Sequence, residues 1–415
     1  MQTRVKTSNF LRADVCREDE GILPTRAAEE ARVSKTGSIK KTGSTWGFVL
    51  DVGRSNGHRQ QVRKRGFRTR KDAQTALNDA LADLQHGSYV RPRRITFGQY
   101  LDEWLATAGL AGRRPTTIAG YRHEIRLHVK PALGDFEVQQ ITAVEIDRLY
   151  AQLASVGSPG GRGALSKNTI RKVHALIGKA LGDAERKGLV QRNVARVASP
   201  PSARSAKAPE MQCWTPEQLR TFLDFVAIDS HHAPLLRLAA MTGLRRAELC
   251  GLRWQDVDLD NARLVVRQAI TTVDHEPSLG DVKSTRSRRV IDIDATTVAV
   301  LKAQRAHQLE ERLRGGPAWV DAGLVFTMPD GRGWHPDVMT RAFARLVKRS
   351  GLPRIRLHDL RHTHATHLLA AGTNVRVTSE RLGHASVAFT LDVYGHVLPG
   401  QQADAAAAVA ALVDR

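Results

Sequence analysis

Trp46, Phe48 and Leu50 alternate with Gly47, Val49 and Asp51, and this stretch marks the first regular element of the chain. A two-residue period is typical of a strand with one buried face. Residues 53–57 then predict a turn, and residues 59–63 predict a returning strand. Thr69 follows as a candidate helix cap, ahead of apolar residues at helical spacing. We therefore expect a small sheet backed by one helix over residues 35–90.

Four stretches of apolar residues at helical spacing lie within residues 95–195 and predict a helical bundle. Thr142 and Glu145 have the spacing of a capping box, which marks the start of one helix. Ser166 is suited to cap the last helix. The arginine-rich segment 91–94 separates this bundle from the N-terminal sheet and is interpreted as a linker.

A proline-containing segment without an apolar period, residues 196–212, predicts a linker before a third domain. Thr215 and Pro216 then open a helix, because threonine caps a helix well and proline fits its first position. Helical patterns alternate with short strand-like runs toward the C-terminus, so residues 213–415 are predicted to form a mixed α and β domain. The strands are expected at residues 264–266, 289–293 and 324–326.

The two ends of the chain carry weaker patterns. Residues 1–34 mix charges without periodicity and are predicted to be a poorly ordered leader. The alanine-rich residues 405–413 predict a short apolar helix that is too small to stand alone. We expect this helix to pack on its own domain or on a neighbouring subunit. The predicted fold class is therefore a multidomain, mainly α protein with α+β parts.

The charge of the chain indicates a polyanionic partner. Lys and Arg number 63 against 42 Asp and Glu, which gives a formal net charge of +21. Residues 35–71 contain eleven of these cations and one acid, which suits a sheet laid against a DNA groove. A solvated basic face is the simpler alternative. The candidate DNA-binding residues of the sheet and the bundle are Arg59, Arg63, Lys64, Arg68, Arg122, Lys167 and Arg171.

Three scattered cysteines, Cys16, Cys213 and Cys250, make neither a disulfide framework nor a zinc site. No apolar run reaches the roughly 18 residues of a membrane span, and the N-terminus lacks the apolar core of a signal peptide. We therefore expect a soluble protein of a reducing cytoplasm, with no membrane partner.

The candidate chemistry lies in residues 357–396. His358 and Arg361 are three residues apart in a predicted helix, and His384 and Tyr394 lie further along the chain. A guanidinium forks onto two phosphate oxygens, an imidazole exchanges a proton near neutral pH, and a phenol can attack phosphorus. This set of side chains favours phosphoryl transfer through a tyrosine.

Two upstream stretches add to this set. Arg245 follows a glycine turn, with Glu248 three residues on as a candidate to orient it. Lys283 lies between two strand-like runs, as it would near the tip of a β-hairpin, although nearby arginines compete for the same assignment. No nucleotide-binding GxxxxGK[ST] loop and no carboxylate pair for a two-metal nuclease is present.

The motifs TGLRRAEL, HDLRHT and LGH, together with the hairpin lysine and the late tyrosine, occur in the order found in the tyrosine recombinase (phage integrase) family, which the chain resembles. The resemblance covers residues 214–396. The helical bundle and the basic N-terminal domain are similar to the core-binding and arm-binding modules of that family.

The resemblance implies that Tyr394 attacks a DNA phosphate and forms a 3′-phosphotyrosyl link. It implies that Arg245 and Arg361 bind the non-bridging oxygens and that Lys283 protonates the departing 5′ oxygen. It also implies that His358 takes the tyrosine proton, while His384 adds a hydrogen bond to the phosphoryl group. No cofactor is expected, since a phosphotyrosine keeps the energy of the broken phosphodiester.

Residues beside these motifs are expected to have supporting roles. Arg246 is predicted to face solvent or DNA, and His362 is predicted to support helix packing. The cluster of His358, His362, His364 and His367 allows a metal site, but no Cys or Glu partner accompanies it, so no metal is predicted.

The resemblance also implies a bacterial, nucleoid-associated protein whose partners are double-stranded DNA at core and arm-type sites, three other copies of the chain in a homotetramer, a host DNA-bending protein and an excision factor. A topoisomerase that uses the same residues on one duplex is one alternative function. A DNA-binding regulator without catalysis is another.

Overall fold

The computed structural model describes residues 37–55, 58–158, 161, 163–206, 211–228, 231–274, 276–281, 288–395 and 401–414. The chain divides into two compact units. The first contains the described residues up to 96, with 137–142 and 178–196, and the second contains 97–136, 143–177 and the described residues from 197 onward.

The first unit begins with an antiparallel sheet of order β1-β2-β3 and a helix. These elements are β1 (Gly37–Thr42), β2 (Thr45–Ser55), β3 (His58–Phe67) and α1 (Arg70–Gln85). Phe48 and Leu50 of β2 are buried together with Leu77 of α1. Thr69 caps α1 by accepting a hydrogen bond from the main-chain N–H of Asp72 at 3.1 Å. The predicted sheet and helix are therefore confirmed.

Strand β1 was not predicted from the sequence. Ile39 is its one large apolar residue, and the side chains of this edge strand are mostly exposed. A strand without a buried alternation gives no periodic signal. Elsewhere in this unit, the Gln139 amide donates to the carbonyls of Arg91, at 2.8 Å, and Leu189, at 2.9 Å, and so joins three separate segments.

The second unit begins with helices at the predicted positions. They are α2 (Phe97–Leu110), α3 (Pro115–Glu124), α4 (Lys130–Leu133), α5 (Ala143–Ser155) and α6 (Lys167–Arg186), and a π-helical turn (Ile125–Val129) lies between α3 and α4. Residues 178–186 of α6 belong to the first unit. Phe97, Leu101, Ile146 and Leu149 are buried, as the helical spacing predicts.

The rest of the second unit mixes helices with two small sheets. Its helices are α7 (Pro216–Ala227), α8 (Ala233–Thr242), α9 (Arg246–Cys250), α10 (Ala295–Gly315), α11 (Pro336–Ser350), α12 (Asp359–Ala370), α13 (Val375–Leu382), α14 (Val387–Tyr394) and α15 (Gln401–Val413). Its strands are β4 (Val257–Asp258), β5 (Arg263–Val266), β6 (Gln268–Val273), β7 (Glu276–Asp281) and β8 (Arg289–Asp292). Trp214, Phe222 and Phe343 pack within its main core, with the first two rings tilted and the last two edge-on to each other.

Two strand predictions need correction. Residues 324–326 form no strand beyond an isolated antiparallel bridge between Leu324 and Arg253, although Leu324, Val325 and Phe326 are all buried. The Val325 N–H donates to the Leu252 carbonyl at 2.8 Å, and the Trp254 N–H donates to the Gly323 carbonyl at 2.9 Å, but the pairing extends no further into a strand.

The second correction concerns the hairpin. The hairpin is made by β6 and β7, whereas β8 pairs with β5 in the other sheet. The described strands on either side of these residues, β7 and β8, therefore belong to different sheets and do not pair with each other. Ile291 of β8 lies opposite Leu264 of β5 with both side chains buried, and this burial accounts for the pairing. Lys283 itself lies outside the described residues.

The C-terminal helix α15 exposes its described apolar side chains. Val409 is 61% exposed, and Leu412 and Val413 are each 75% exposed. Docking of α15, on its own domain or on a neighbouring subunit, remains a prediction. Within the described part of the chain, no helix has the length and apolar character needed to cross a membrane.

Candidate active site

Two arginines from distant parts of the sequence lie together at the C-terminal end of α13. Arg361, in the first turn of α12, is 3% exposed and donates hydrogen bonds to the carbonyls of Gly243, at 2.7 Å, and Leu382, at 2.6 Å. Arg245, directly before α9, donates to the Gly383 carbonyl at 2.7 Å. Because successive carbonyls hold the two guanidinium groups, their positions are fixed relative to each other.

The glycine of the TGLR motif allows this arrangement. Gly243 ends α8 with a left-handed φ of 64°, which favours glycine. A Cβ atom at this position would lie 2.7 Å from a Leu382 methyl carbon and 2.9 Å from the His364 ring. The chain therefore turns sharply out of α8 and brings Arg245 into the site.

Glu248 is the carboxylate that holds Arg245. It is 4% exposed, and its Oε1 atom accepts from Arg245 Nη1 at 2.7 Å while its Oε2 atom accepts from the Arg245 main-chain N–H at 3.0 Å. Burial by itself would raise the pKa of Glu248, but the hydrogen bond and charge of Arg289 and the charge of Arg245 outweigh it and lower this pKa. The contact expected from the sequence is present, and the carboxylate is ionised at neutral pH.

Arg361 remains charged although it lies close to Arg245. Burial and the positive charge of Arg245 lower the pKa of Arg361 to about 9, Glu248 opposes this shift, and Arg289 adds to it. A guanidinium with this pKa is still protonated at pH 7. The site therefore holds concentrated positive charge, which suits a phosphate whose negative charge grows in a transition state.

Tyr394 is the last residue of α14 and is only 1% exposed. Its hydroxyl lies 2.5 Å from His362 Nδ1. Burial raises the pKa of Tyr394 to about 12, although the charge of Arg361 acts in the opposite direction. The phenol is therefore protonated at neutral pH and needs a proton acceptor before it can attack phosphorus.

His384 places a neutral imidazole beside Tyr394. The two rings are nearly parallel, with an interplanar angle of 9° and centroids 6.3 Å apart. His384 Nδ1 lies 2.9 Å from the Thr390 hydroxyl, which fixes the ring. Burial and the charges of Arg361 and Arg245 lower the pKa of His384 to about 3. This ring can form hydrogen bonds at neutral pH but carries no charge.

His362 contacts the Tyr394 hydroxyl, whereas the sequence predicted only that His362 supports helix packing. His358 lies exposed at the start of α12, and its ring packs edge-on against the His362 ring with centroids 5.0 Å apart. Partial burial and the charge of Arg361 lower the pKa of His358. Burial and the neighbouring His358 lower the pKa of His362 to about 4, so His362 is neutral at pH 7. The imidazole that lies beside the Tyr394 hydroxyl is thus uncharged at neutral pH.

The other histidines of α12 have separate partners. His364 accepts a hydrogen bond from Arg381 Nε at 3.2 Å, and His367 Nε2 lies 2.9 Å from the Trp214 carbonyl. Among the residues that the structure describes, no group of three or more His, Cys, Asp or Glu side chains is arranged to hold a metal ion.

Arg246 was predicted to face solvent or DNA, and it is partly exposed while also binding α11. It donates to the Asp337 carboxylate at 2.8 Å and to the Thr340 hydroxyl at 2.7 Å, both in the first turns of α11. The side chain is 40% exposed and anchors α9 to α11. Two adjacent arginines thus have different surroundings, because α9 directs Arg245 toward α13 and Arg246 toward α11.

The candidate DNA-binding residues of the sheet lie on different faces. Phe48 pairs with Lys64 and is buried under α1, so Lys64 projects from the helix-covered side. Arg63 pairs with Val49 and is exposed on the opposite, open face. Arg59 pairs with the Asp51 carboxylate at 2.6 Å.

Arg68 is exposed just before α1, and Lys167 is exposed at the start of α6. Arg122 contacts the Asp274 carboxylate at 2.9 Å, and both side chains are exposed. Arg171 is half-buried and donates to the Pro201 carbonyl at 2.7 Å, so it holds the chain beyond α6.

Comparison with known protein families gives three matches along the chain. The model of the phage integrase family matches residues 212–400, that of the phage integrase N-terminal SAM-like domain matches residues 96–154, and that of the arm DNA-binding domain matches residues 38–84. The three matches succeed one another in the order predicted from the sequence.

The chain is also similar to named proteins along most of its length. It is 26% identical over 390 residues to a tyrosine recombinase XerC-like protein of Caldanaerobacter subterraneus subsp. tengcongensis, covering 89% of this chain and 97% of the relative. It is 28% identical over 359 residues to an integrase of Streptomyces ambofaciens, covering 84% and 88%. The solved structure of the Tn1549 transposon integrase in complex with transposon right end DNA shares the fold, with a TM-score of 0.62 and 20% identity over 77% of this chain and all of that one.

The three matched modules and these relatives define a tyrosine site-specific recombinase, an enzyme class built on a helical module and a mixed α and β catalytic domain. The chain belongs to the tyrosine recombinase (phage integrase) family and carries the arm DNA-binding domain at its N-terminal side.

Proposed function

We propose that this integrase integrates or excises a phage or mobile element by cutting and rejoining DNA strands, with Tyr394 as the nucleophile. One observation carries the proposal. The Tyr394 ring stacks on the His384 ring. The two residues directly before His384 hold the arginines: the Gly383 carbonyl accepts from Arg245, and the Leu382 carbonyl accepts from Arg361. A phenol and two guanidinium groups therefore meet at one short stretch of chain.

The chemistry is a transesterification without net change in bond energy. The Tyr394 oxygen attacks the scissile phosphorus, the bond from phosphorus to the 5′ oxygen breaks, and a 3′-phosphotyrosyl link forms. Arg245 and Arg361 hold the non-bridging oxygens, where negative charge grows. Lys283 gives the departing 5′ oxygen its proton. A 5′-hydroxyl of a second strand then reverses the sequence, so no nucleotide cofactor is consumed.

The tyrosine proton needs an acceptor, and two histidines are candidates. Family resemblance assigns this role to His358, but the structure places His362 Nδ1 at 2.5 Å from the Tyr394 hydroxyl. A neutral imidazole at hydrogen-bonding distance is the geometry that general base catalysis requires. We assign the proton to His362, and His358 and His384 donate hydrogen bonds to the phosphoryl group.

The N-terminal sheet supplies a separate DNA grip. Arg63 and Arg65 of β3 lie opposite Val49 and Gly47 of β2, on the face that α1 leaves open. Lys40 of β1 pairs with Gly47 on the same face. A two- or three-stranded ribbon of this kind fits the major groove. We propose that this face binds arm-type sites, while exposed Arg122 and Lys167 contribute to binding the core site.

We propose domain limits of 35–90 for the arm-binding domain, 95–195 for the core-binding domain and 213–415 for the catalytic domain. Residues 196–212 form the linker between the core-binding and catalytic domains. The active form is a homotetramer on paired core sites in the bacterial cytoplasm, assisted by a host DNA-bending protein and an excision factor. The exposed apolar side chains of α15 support docking on a neighbouring subunit within that tetramer.

The test uses a nicked duplex that contains a core site selected by this protein from a random-sequence pool. The unsubstituted protein should become covalently attached to the 3′ end of the cleaved strand. The nick makes the piece that carries the new 5′-hydroxyl short enough to diffuse away, so religation cannot occur. Tyr394→Phe should bind the same duplex within about threefold and form no adduct, since a phenyl ring has no nucleophile. Adduct formation by Tyr394→Phe would refute the nucleophile, and relaxation of supercoiled DNA without strand exchange would indicate a topoisomerase.

A further inference from the structure

We propose that Arg289 is a positioning residue for the two arginines that hold the phosphate. It acts through Glu248 on Arg245 and through the end of α13 on both Arg245 and Arg361. The inference rests on the proposed function, and it concerns a side chain that family resemblance does not place among the catalytic residues.

The contacts of Arg289 use each part of its guanidinium group. Arg289 is the first residue of β8, and its side chain is 6% exposed. Nη2 lies 2.8 Å from Glu248 Oε2, Nη1 lies 3.2 Å from Glu248 Oε1, and Nε donates to the Arg381 carbonyl at 2.7 Å. A planar fork makes these contacts in a single fixed orientation, which a lysine ammonium does not reproduce.

Glu248 is shared between Arg289 and Arg245. Its Oε1 atom accepts from Arg245 and from Arg289, at 2.7 Å and 3.2 Å, and both partners also reach its Oε2 atom. Without Arg289, the buried carboxylate would have Arg245 as its remaining guanidinium partner. It would then draw more of the Arg245 donors and charge away from a bound phosphate.

Three successive carbonyls at the end of α13 each accept from a different arginine of the site. The Arg381 carbonyl accepts from Arg289, the Leu382 carbonyl from Arg361 and the Gly383 carbonyl from Arg245. The last carbonyls of a helix lack partners inside the helix and carry partial negative charge, so they suit cations. These three residues, 381–383, thus form a platform on which the guanidinium groups rest.

The platform is also fixed to β8 from its own side. The Arg381 guanidinium donates to the carbonyls of Asp292 and Met241, each at 3.0 Å. Asp292 is the last residue of β8 and Arg289 is the first, so strand and platform are joined at two points. Gly383 has a left-handed φ of 65°, and a Cβ atom there would lie 2.9 Å from Arg289 Nη1. The glycine of the LGH motif therefore leaves space for Arg289.

The matched pair of variants is Arg289→Ala and Arg288→Ala. Both remove one positive charge at neighbouring positions, but Arg288 is 56% exposed and contacts the Asp281 carboxylate at 2.9 Å on the surface. Single-turnover cleavage of the nicked core duplex and equilibrium binding to that duplex are measured for each variant. Thermal unfolding of each protein shows whether it is folded.

Arg289→Ala should lower the cleavage rate about 100-fold, the size of the effect when one preorganised donor to a transition state is lost. Its affinity for the duplex should stay within about threefold, because the Arg289 side chain is 6% exposed and offers little surface for DNA to contact. Arg288→Ala should change both quantities by no more than about threefold, as expected for an exposed charge. Arg289→Lys should recover part of the rate, because it restores the charge without the fork.

A second measurement asks whether Arg289 acts through Glu248. The combined rate loss of Arg289→Ala with Glu248→Gln should be clearly smaller than the product of the two single losses, since both changes disturb the same contact. Should Arg289→Ala be unfolded, the same comparison is made with Arg289→Lys and Arg289→Gln.

Equal rates for the Arg288 and Arg289 variants would overturn the inference, as would a loss of affinity as large as the loss of rate. Independent multiplication of the Arg289 and Glu248 effects would overturn it as well. In each of these cases the unsubstituted protein still forms its adduct, and the proposed function stands. Absence of an adduct from the unsubstituted protein would instead refute the proposed function, and the inference with it.

Discussion

The arginines of the active site and the arginines of the N-terminal sheet are the same residue type in opposite surroundings. Arg361 is 3% exposed and donates to two main-chain carbonyls. Arg63 lies on the open face of a three-stranded sheet and is exposed to solvent. Burial fixes the first guanidinium before any DNA arrives, whereas the second is free to follow the contour of a DNA backbone.

This difference separates two uses of positive charge. A guanidinium that is already oriented stabilises a transition state without reorganisation during the reaction, so its loss lowers the rate. An exposed guanidinium gains affinity by displacing counterions from DNA, so its loss lowers binding and its contribution weakens with salt. The two regions therefore predict different failures when their arginines are replaced.

The largest effect is expected from the arginines of the active site. Arg361→Ala should lower the single-turnover cleavage rate about 1,000-fold, because it removes a donor to the phosphate and leaves two carbonyls without that partner. Arg245→Ala should act in the same direction. Binding of the core duplex should change by only a few-fold in both variants. A variant that keeps near-normal cleavage would show that these arginines do not hold the phosphate.

The next effect concerns the proton acceptor in the same pocket. His362→Ala should lower the cleavage rate about 100-fold, a typical contribution of general base catalysis. The matched change His358→Ala should lower the cleavage rate less than His362→Ala does, since His362 and not His358 lies 2.5 Å from the tyrosine hydroxyl. The rates of both variants on the nicked duplex check this order. The reverse order would return the role of base to His358.

A smaller and different effect is expected from the sheet. Replacing both Arg63 and Arg65 by alanine should weaken binding to an arm-type duplex about tenfold at moderate salt. The slope of log K against the logarithm of the salt concentration should become less steep by about two. Cleavage of an isolated core duplex should be unchanged. Lys64→Ala is the matched control, because Lys64 projects from the face covered by α1. Equal losses from both faces would show that the sheet has no single DNA-binding face.

The smallest effect is a dependence of stability on pH that comes from a buried histidine beside the site. Burial and the charge of Arg381 lower the pKa of His364 to about 3, below its ordinary value. The unfolded chain therefore binds the proton first as pH falls, so this residue destabilises the fold progressively between about pH 6.5 and pH 3. In His364→Gln, the free energy of unfolding should fall less between pH 7 and pH 5 than it does in the unsubstituted protein. Urea unfolding at the two pH values measures this difference, and identical falls would contradict the shifted pKa.

Much of the fold was determined by local sequence signals. Thr69, Thr215 and Pro216 mark helix starts where the structure has them, and the period of apolar residues located the helices of the bundle. These signals work because a cap or an amphipathic face depends on residues within a few positions of one another. Residues 324–326 misled the same reasoning, because their side chains are buried in the core while their main chain forms only an isolated bridge between Leu324 and Arg253.

The sequence also determined which residue types the active site contains. Arg245, His358, Arg361, His384 and Tyr394 could be proposed because their motifs occur together in one order along the chain. Their partners were decided by the tertiary structure. His362 and Arg289 carry no local signal, since a histidine beside an arginine and one arginine among several are common patterns. Contacts between residues far apart in sequence, such as those of Arg289 with Glu248 and the end of α13, exist only after the chain has packed.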